Sequence, residues 1–223
     1  MRRFLILAHR VPVRGGFTLN DLAGGAGRMD EIARVVSTGF TLSNDLRRDV
    51  EMTVLFVAET VPGARRIRLI GRRLRYLNPD ERSTAALLKN ALVRSASFER
   101  EFESSPGLLV GPVDPEVELR EFLSRPEPFW LTEGGSPLHA YPRPDREDFS
   151  AVLSDPYDPT SKEIELLLAS GVPRISVGPR SLRASQVIDL VHGEFDRWFP
   201  VPPPSRIDAD ARKPVTELES ARS

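Results

Sequence analysis

The segment Ser43-Asn44-Asp45-Leu46-Arg47-Arg48-Asp49 sets two arginines between two acids. Guanidinium groups grip phosphate through paired N–H donors, and a carboxylate beside them can take a proton or orient a base. On composition alone a solvated turn with weak local ion pairs is the favoured reading. Upstream, Asp21-Leu22-Ala23-Gly24-Gly25-Ala26-Gly27-Arg28-Met29-Asp30 puts three glycines ahead of an amphipathic stretch, an arrangement that can cradle an anion at a helix N-terminus. It lacks the lysine of a P-loop and the spacing of a dinucleotide fingerprint, so a plain glycine turn is favoured. A third basic stretch holds Arg65, Arg66, Arg68, Arg72, Arg73 and Arg75. Strand alternation would place Arg66 and Arg68 on one face, as an RNA-backbone footprint or as ordinary surface arginines.

Other chemistries are excluded or unsupported. Without cysteine there is no thiol nucleophile, disulfide or thiolate metal site, which favours a reducing, cytoplasmic setting. His9, His139 and His192 are far apart and lack metal-ligand spacing, so no metal is expected. The apolar run Phe4–Ala8 is five residues long and ends at His9-Arg10, too short for a secretory core or a membrane span. With a net charge of −1, any nucleic-acid contact must come from a local basic surface.

The elements that would position these residues follow from periodicity. Short apolar runs alternate with amphipathic stretches, the pattern of an α/β domain. Strands are predicted at Phe4–Ala8, Thr53–Ala58, Arg66–Ile70, Gly107–Val110, Pro128–Leu131, Ala151–Leu153 and Arg174–Val177. One helix starts near Gly27. A second has Asn78 as N-cap, Pro79 in its first turn and an end near Ser95. Two more are predicted at Thr160–Ser170 and at about Ser181–Trp198. The loops Ser154-Asp155-Pro156 and Ser176-Val177-Gly178-Pro179 follow strands, and with Leu131–Gly135 they could form one small-molecule pocket at the carboxyl ends of a sheet. Glu133 to Phe149 reads as a long loop. Residues 1–199 read as one domain, and 200–223 as a Pro-rich, disordered tail.

Together these stretches resemble the tRNA pseudouridine-54 N1-methyltransferases of the TrmY type, a branch of the knotted SPOUT methyltransferases. The resemblance rests on Asp21–Asp30, Ser43–Asp49, Leu77-Asn78-Pro79-Asp80-Glu81-Arg82-Ser83-Thr84-Ala85, Ser104–Gly107, Val152–Asp155 and Arg174–Pro179, collinear over about nine-tenths of the chain. It implies a Rossmann-like sheet with helices on both faces, a C-terminal trefoil knot, a homodimer, S-adenosyl-L-methionine as methyl donor and tRNA as substrate. By position the cofactor would be held by Leu131, Thr132, Ser154, Asp155, Val177, Gly178, Pro179, Leu182 and Val187. Asp45 would serve as base or base-orienting group, and Arg47 would stabilise the anion or hold phosphate. Arg28, Arg48 and Arg82 would face the RNA, with Arg66 and Arg68 adding basic surface.

Departures fall in the C-terminal half. Where the family carries His-Ala-Asn/Asp-His, this chain reads Arg183-Ala184-Ser185-Gln186, followed by Val187; its Ser-Asp-His loop reads Ser154-Asp155-Pro156. Two alternatives stand beside the leading reading: the same chemistry on another RNA pseudouridine, as in ribosomal RNA, and a noncatalytic RNA-binding homologue.

Overall fold

Phe4-Leu5-Ile6-Leu7-Ala8 has no polar side chain to offer water, so the strand that contains it must be covered on both faces. In the computed structural model, which describes residues 1–57 and 63–200, strand β1 (Arg2–Ala8) lies inside an eight-stranded sheet. The remaining strands are β2 (Val50–Phe56), β3 (Arg65–Ile70), β4 (Phe102–Ser105), β5 (Leu108–Pro112), β6 (Pro128–Pro137), β7 (Phe149–Ser154) and β8 (Arg174–Ser176). Their order is β4-β5-β3-β2-β1-β7-β6-β8. From β2 to β8 the pairings are parallel, whereas β3, β5 and β4 pair antiparallel along the other edge.

Side-chain alternation along β1 separates two layers. Phe4, Ile6 and Ala8 pack into the larger core with helices α1 (Met29–Phe40), α2 (Glu81–Ser95) and α5 (Ala184–Trp198). Leu5 and Leu7 face the smaller core beneath α3 (Pro115–Leu123) and α4 (Ser161–Ala169), through Leu119, Phe122, Leu166 and Leu167. The expected α/β class, with helices on both faces, is therefore what the chain adopts. Phe195 fastens α5 to the sheet, its ring 4.1 Å from that of Phe149, which meets Phe4 edge-on at 5.4 Å.

Several boundaries differ from expectation. The N-cap of α2 is Asp80, whose carboxylate accepts the Ser83 N–H at 2.8 Å, while the Asn78 carbonyl accepts the Thr84 hydroxyl at 3.0 Å. Helix α1 begins two residues after Gly27, because Gly27 and Arg28 both take positive φ, 62° and 69°. A Cβ at Gly27 would lie 2.0 Å from the Arg10 carbonyl oxygen, so the glycine is required by close approach as well as by φ. Helix α5 begins at Ala184. Strand β6 runs on to Pro137, interrupted by a register shift between Leu131 and Ser136, and Leu138–Ala140 form a 3-10 turn, so the loop expected from Glu133 is shorter. Helix α3 and strand β4 were not anticipated, although Asp114 and Pro115 form an ordinary helix start. Ala58 and the predicted tail beyond Pro200 lie outside the described residues.

Candidate active site

A pocket opens at the carboxyl ends of β6, β7 and β8, where parallel sheets place ligands. The three segments nominated by the sequence meet there. Leu131, Thr132, Ser154, Asp155, Val177, Gly178, Leu182 and Val187 line it; Pro179 alone of that set does not. The register shift in β6 produces the wall at Thr132 and Glu133. Gly135 allows the strand to return to β8, since a Cβ there would sit 2.5 Å from the Ile175 nitrogen. Ile175 and Leu153 add apolar wall; Glu133, Asp158 and Arg180 supply charge.

The loop after β7 is held from below by an ion triad that sequence reading missed. Asp155 is buried, and its backbone N–H donates to the Leu7 carbonyl at 2.9 Å. Its carboxylate accepts the His9 and Tyr157 backbone N–H groups, at 2.9 and 3.0 Å, and contacts His9 Nδ1 at 3.0 Å. His9 Nε2 reaches Glu163 at 2.9 Å, and Glu163 closes the capping box of α4 with Thr160. Burial opposes charge on His9, but hydrogen bonds to both carboxylates, with their charges, outweigh it and raise its pKa to about 9. At neutral pH it is an imidazolium whose two N–H groups are both engaged. The Asp155 carboxylate is thus committed to the loop, while the residue itself lines the pocket. Arg10 lies over the Tyr157 ring at 3.8 Å and closes the same corner. His9 sits at a strand's carboxyl end, which is a legible position, but its partners are 146 and 154 residues away.

The unusual start of α5 is also accounted for locally. Ser185 turns inward and donates through its hydroxyl and N–H to buried Glu31, at 2.9 and 3.3 Å. Gln186 folds back to accept the Arg183 N–H at 3.1 Å and does not line the pocket. Val187, one residue on, does.

The charged packet lies elsewhere. The Arg2 N–H donates to the Asp49 carbonyl at one end of β1, while Asp155 meets Leu7 at the other. Five steps of extended chain separate these points, roughly 17 Å. Helix α1, with its 12 residues, rises about 18 Å and carries the chain across. The segment Gly24–Asp49 is therefore divided: its glycines lie near the pocket's end, and Asp45 and Arg47 at the opposite end. Within one chain Asp45 and Arg47 do not share a site with the pocket.

At that far end Asp45 accepts from the Arg48 guanidinium at 2.8 Å, and Arg47 pairs with Asp196 at 2.6 Å. Asp196 also holds buried Arg2 at 2.6 Å, and Arg2 approaches His192 Nδ1 at 3.0 Å, while His192 Nε2 meets the Gly39 carbonyl at 3.1 Å. Burial first, then the charges of Arg47 and Arg2, push the His192 pKa down to about 3, so this ring is neutral. The other nominated arginines have internal partners. Arg28 pairs with Asp30 at 2.9 Å, Arg82 donates to the Leu19 carbonyl at 2.9 Å, and Arg66 and Arg68 share Glu101, with Glu118 also on Arg66. The positive footprint expected of Arg66 and Arg68 is thus largely compensated by carboxylates on the α3 face.

Comparison with known proteins agrees with this geometry. The family described as "Putative SAM-dependent RNA methyltransferase" matches residues 1–198. The chain is 41% identical over 197 residues to the tRNA (pseudouridine(54)-N(1))-methyltransferase of Methanosarcina acetivorans, covering 88% of this chain and 92% of that one. It is 39% identical over 198 residues to the enzyme of the same name from Haloferax volcanii, covering 88% and 96%. The crystal structure of Archaeoglobus fulgidus Nep1 bound to S-adenosylhomocysteine superposes with a TM-score of 0.56 at 15% identity, over 89% of this chain and 98% of that one, which is a likeness of fold. The matched span takes in every strand and helix among the described residues and all three pocket loops, and by it the chain belongs to the SAM-dependent RNA methyltransferase family that this description names.

Proposed function

We propose that this protein methylates N1 of pseudouridine 54 in tRNA, with S-adenosyl-L-methionine as donor. The observation that carries the reading is the meeting of three loops, remote in sequence, in one pocket at the carboxyl ends of β6, β7 and β8. Kinship near 40% to enzymes of that name supports the substrate. The pocket's chemistry fits the donor: Leu131, Val177, Leu182 and Val187 offer apolar surface, Thr132 a hydroxyl, and Glu133, Asp158 and Arg180 charges that complement an amino-acid moiety. When bound, the donor supplies an electrophilic methyl group on a sulfonium.

The protein's own residues must position the nucleotide and manage one proton. N1 of pseudouridine is an imide-like N–H, largely protonated at neutral pH, so it needs a base or a stabiliser of its anion. Asp45 is assigned to take or orient that proton, with Arg47 holding phosphate or stabilising the anion. Because Asp45 lies beyond the end of β1 opposite the pocket of its own chain, the assignment calls for a homodimer in which one protomer's Asp45 end meets its partner's pocket. Residues 1–199 are read as one methyltransferase domain, and the C-terminal strands as a trefoil knot. The strand order β1-β7-β6-β8, with α5 returning to pack on α1, is in keeping with such threading. A tRNA substrate accords with a cytoplasmic location. Gln186 lies off the pocket, so that departure from the family pattern lends no weight to a noncatalytic homologue.

Label from methyl-labelled donor is expected on a tRNA transcript carrying pseudouridine at position 54, and not on one carrying uridine there. Transfer to neither transcript contradicts the reading. Asp45→Ala and Val187→Trp are each expected to abolish transfer. If the site is shared between protomers, mixing the two variants restores up to roughly a quarter of wild-type activity, the share of intact sites from random pairing. No recovery, with dimers present, rejects the shared site.

A further inference from the structure

A second cleft lies where the loop after β3 meets the loop before β2, at the far end from the cofactor pocket. Four of its seven lining residues are arginines: Arg48, Arg72, Arg73 and Arg75. Two of these hold the cleft together. Arg48 donates to the carbonyls of Gly71 and Leu74, at 3.1 and 2.8 Å. Arg73 donates to both oxygens of Glu103, at 2.8 and 2.7 Å, and Glu103 accepts the Gly107 N–H at 2.7 Å. The backbones are packed without slack. A Cβ at Gly71 would lie 2.3 Å from the Arg47 carbonyl oxygen, and one at Gly107 2.5 Å from the Leu74 nitrogen.

Arg72 and Arg75 differ from this pair. Both are exposed, and neither forms a hydrogen bond or ion pair among the described residues. Two uncompensated guanidiniums therefore project from a rigid loop into a cleft with a single carboxylate, on a chain whose net charge is −1. Such groups suit a partner carrying phosphates at a repeated spacing, since each contact releases condensed counterions.

The geometry points to this cleft as a binding site for the phosphodiester backbone of the RNA substrate. Arg72 and Arg75 make the phosphate contacts, and Arg48 and Arg73 keep the loop in place. The inference rests on the RNA-methyltransferase reading and adds to it the element that grips the substrate.

Fluorescence anisotropy with an unmodified tRNA transcript across a potassium chloride titration tests it. For Arg72→Gln and Arg75→Gln, singly, the slope of log affinity against log salt becomes shallower by about 0.7–0.9, and by about twice that in the double variant. Affinity of the double variant near physiological salt falls by roughly tenfold or more. Binding of S-adenosylhomocysteine and the melting temperature stay unchanged, because both side chains are solvent-facing and remote from the pocket. Arg120→Gln, on α3, leaves the slope as it is. Wild-type binding matched by the double variant in slope and affinity overturns the cleft alone. Absence of salt-dependent tRNA binding by the wild-type protein overturns the RNA reading and the cleft with it.

Discussion

Two histidines set the pH response from opposite directions. His9 has a folded-state pKa of about 9, above its ordinary 6.5. Its contribution to stability is fully present below that ordinary value and is lost as pH rises towards about 9. His192 has a folded-state pKa of about 3, so its contribution is fully present above 6.5 and is lost as pH falls. The pair places a stability maximum near the unperturbed histidine pKa. Melting temperatures across pH are expected to fall on both sides of it; His9→Gln removes most of the alkaline slope, and His192→Phe the part of the acid slope that precedes protonation of carboxylates such as Asp196 and Glu163, which their partners hold below the usual range. At neutral pH His9→Gln leaves Asp155 and Glu163 without their shared cation and costs about 3 kcal/mol. The loss extends to the pocket through the Ser154–Tyr157 loop, so S-adenosylhomocysteine affinity falls by roughly tenfold. Unchanged affinity would show that the triad holds the fold without shaping the pocket. None of this was legible from spacing, since hydrogen bonding across about 150 residues leaves no periodic trace.

At the scale of elements, the sequence announced what is local. Apolar runs marked β1 and β7, the helix expected at Thr160–Ser170 is α4, and the strand-end positions of Ser154 and Ser176 marked two walls of the pocket. The third wall, the irregular middle of β6, read as loop because glycines and prolines dominate it, yet pairing with β8 resumes at Ser136. Gly135 is the residue on which that resumption depends. Gly135→Ala forces β6 away from β8 and costs about 3 kcal/mol, and it should weaken cofactor binding more than any substitution on α3. A variant with wild-type stability in denaturant titration and wild-type affinity would refute the close-approach argument. Helix α1 shows the limit of motif reading. Gly24–Arg28 and Asp45–Asp49 are near neighbours in sequence, but the 12-residue helix between them sends them to opposite ends of the sheet.

For the whole molecule, this separation frames the proposed function. One end of the sheet holds a pocket of mixed apolar and polar lining; the other carries Asp45, Arg47 and the arginine cleft. A two-fold assembly that brings one end against the other would join cofactor and RNA in each site. Among the described residues no helix is long and apolar enough to cross a membrane. Nucleoside mass spectrometry of tRNA from cells lacking the protein, complemented with wild type or with Val187→Trp, tests the central claim most directly. N1-methylpseudouridine at position 54 should vanish on deletion, return with wild type and stay absent with Val187→Trp, whose side chain fills the pocket. Modification that persists after deletion, or that Val187→Trp restores in full, would contradict the assignment of this pocket and this reaction.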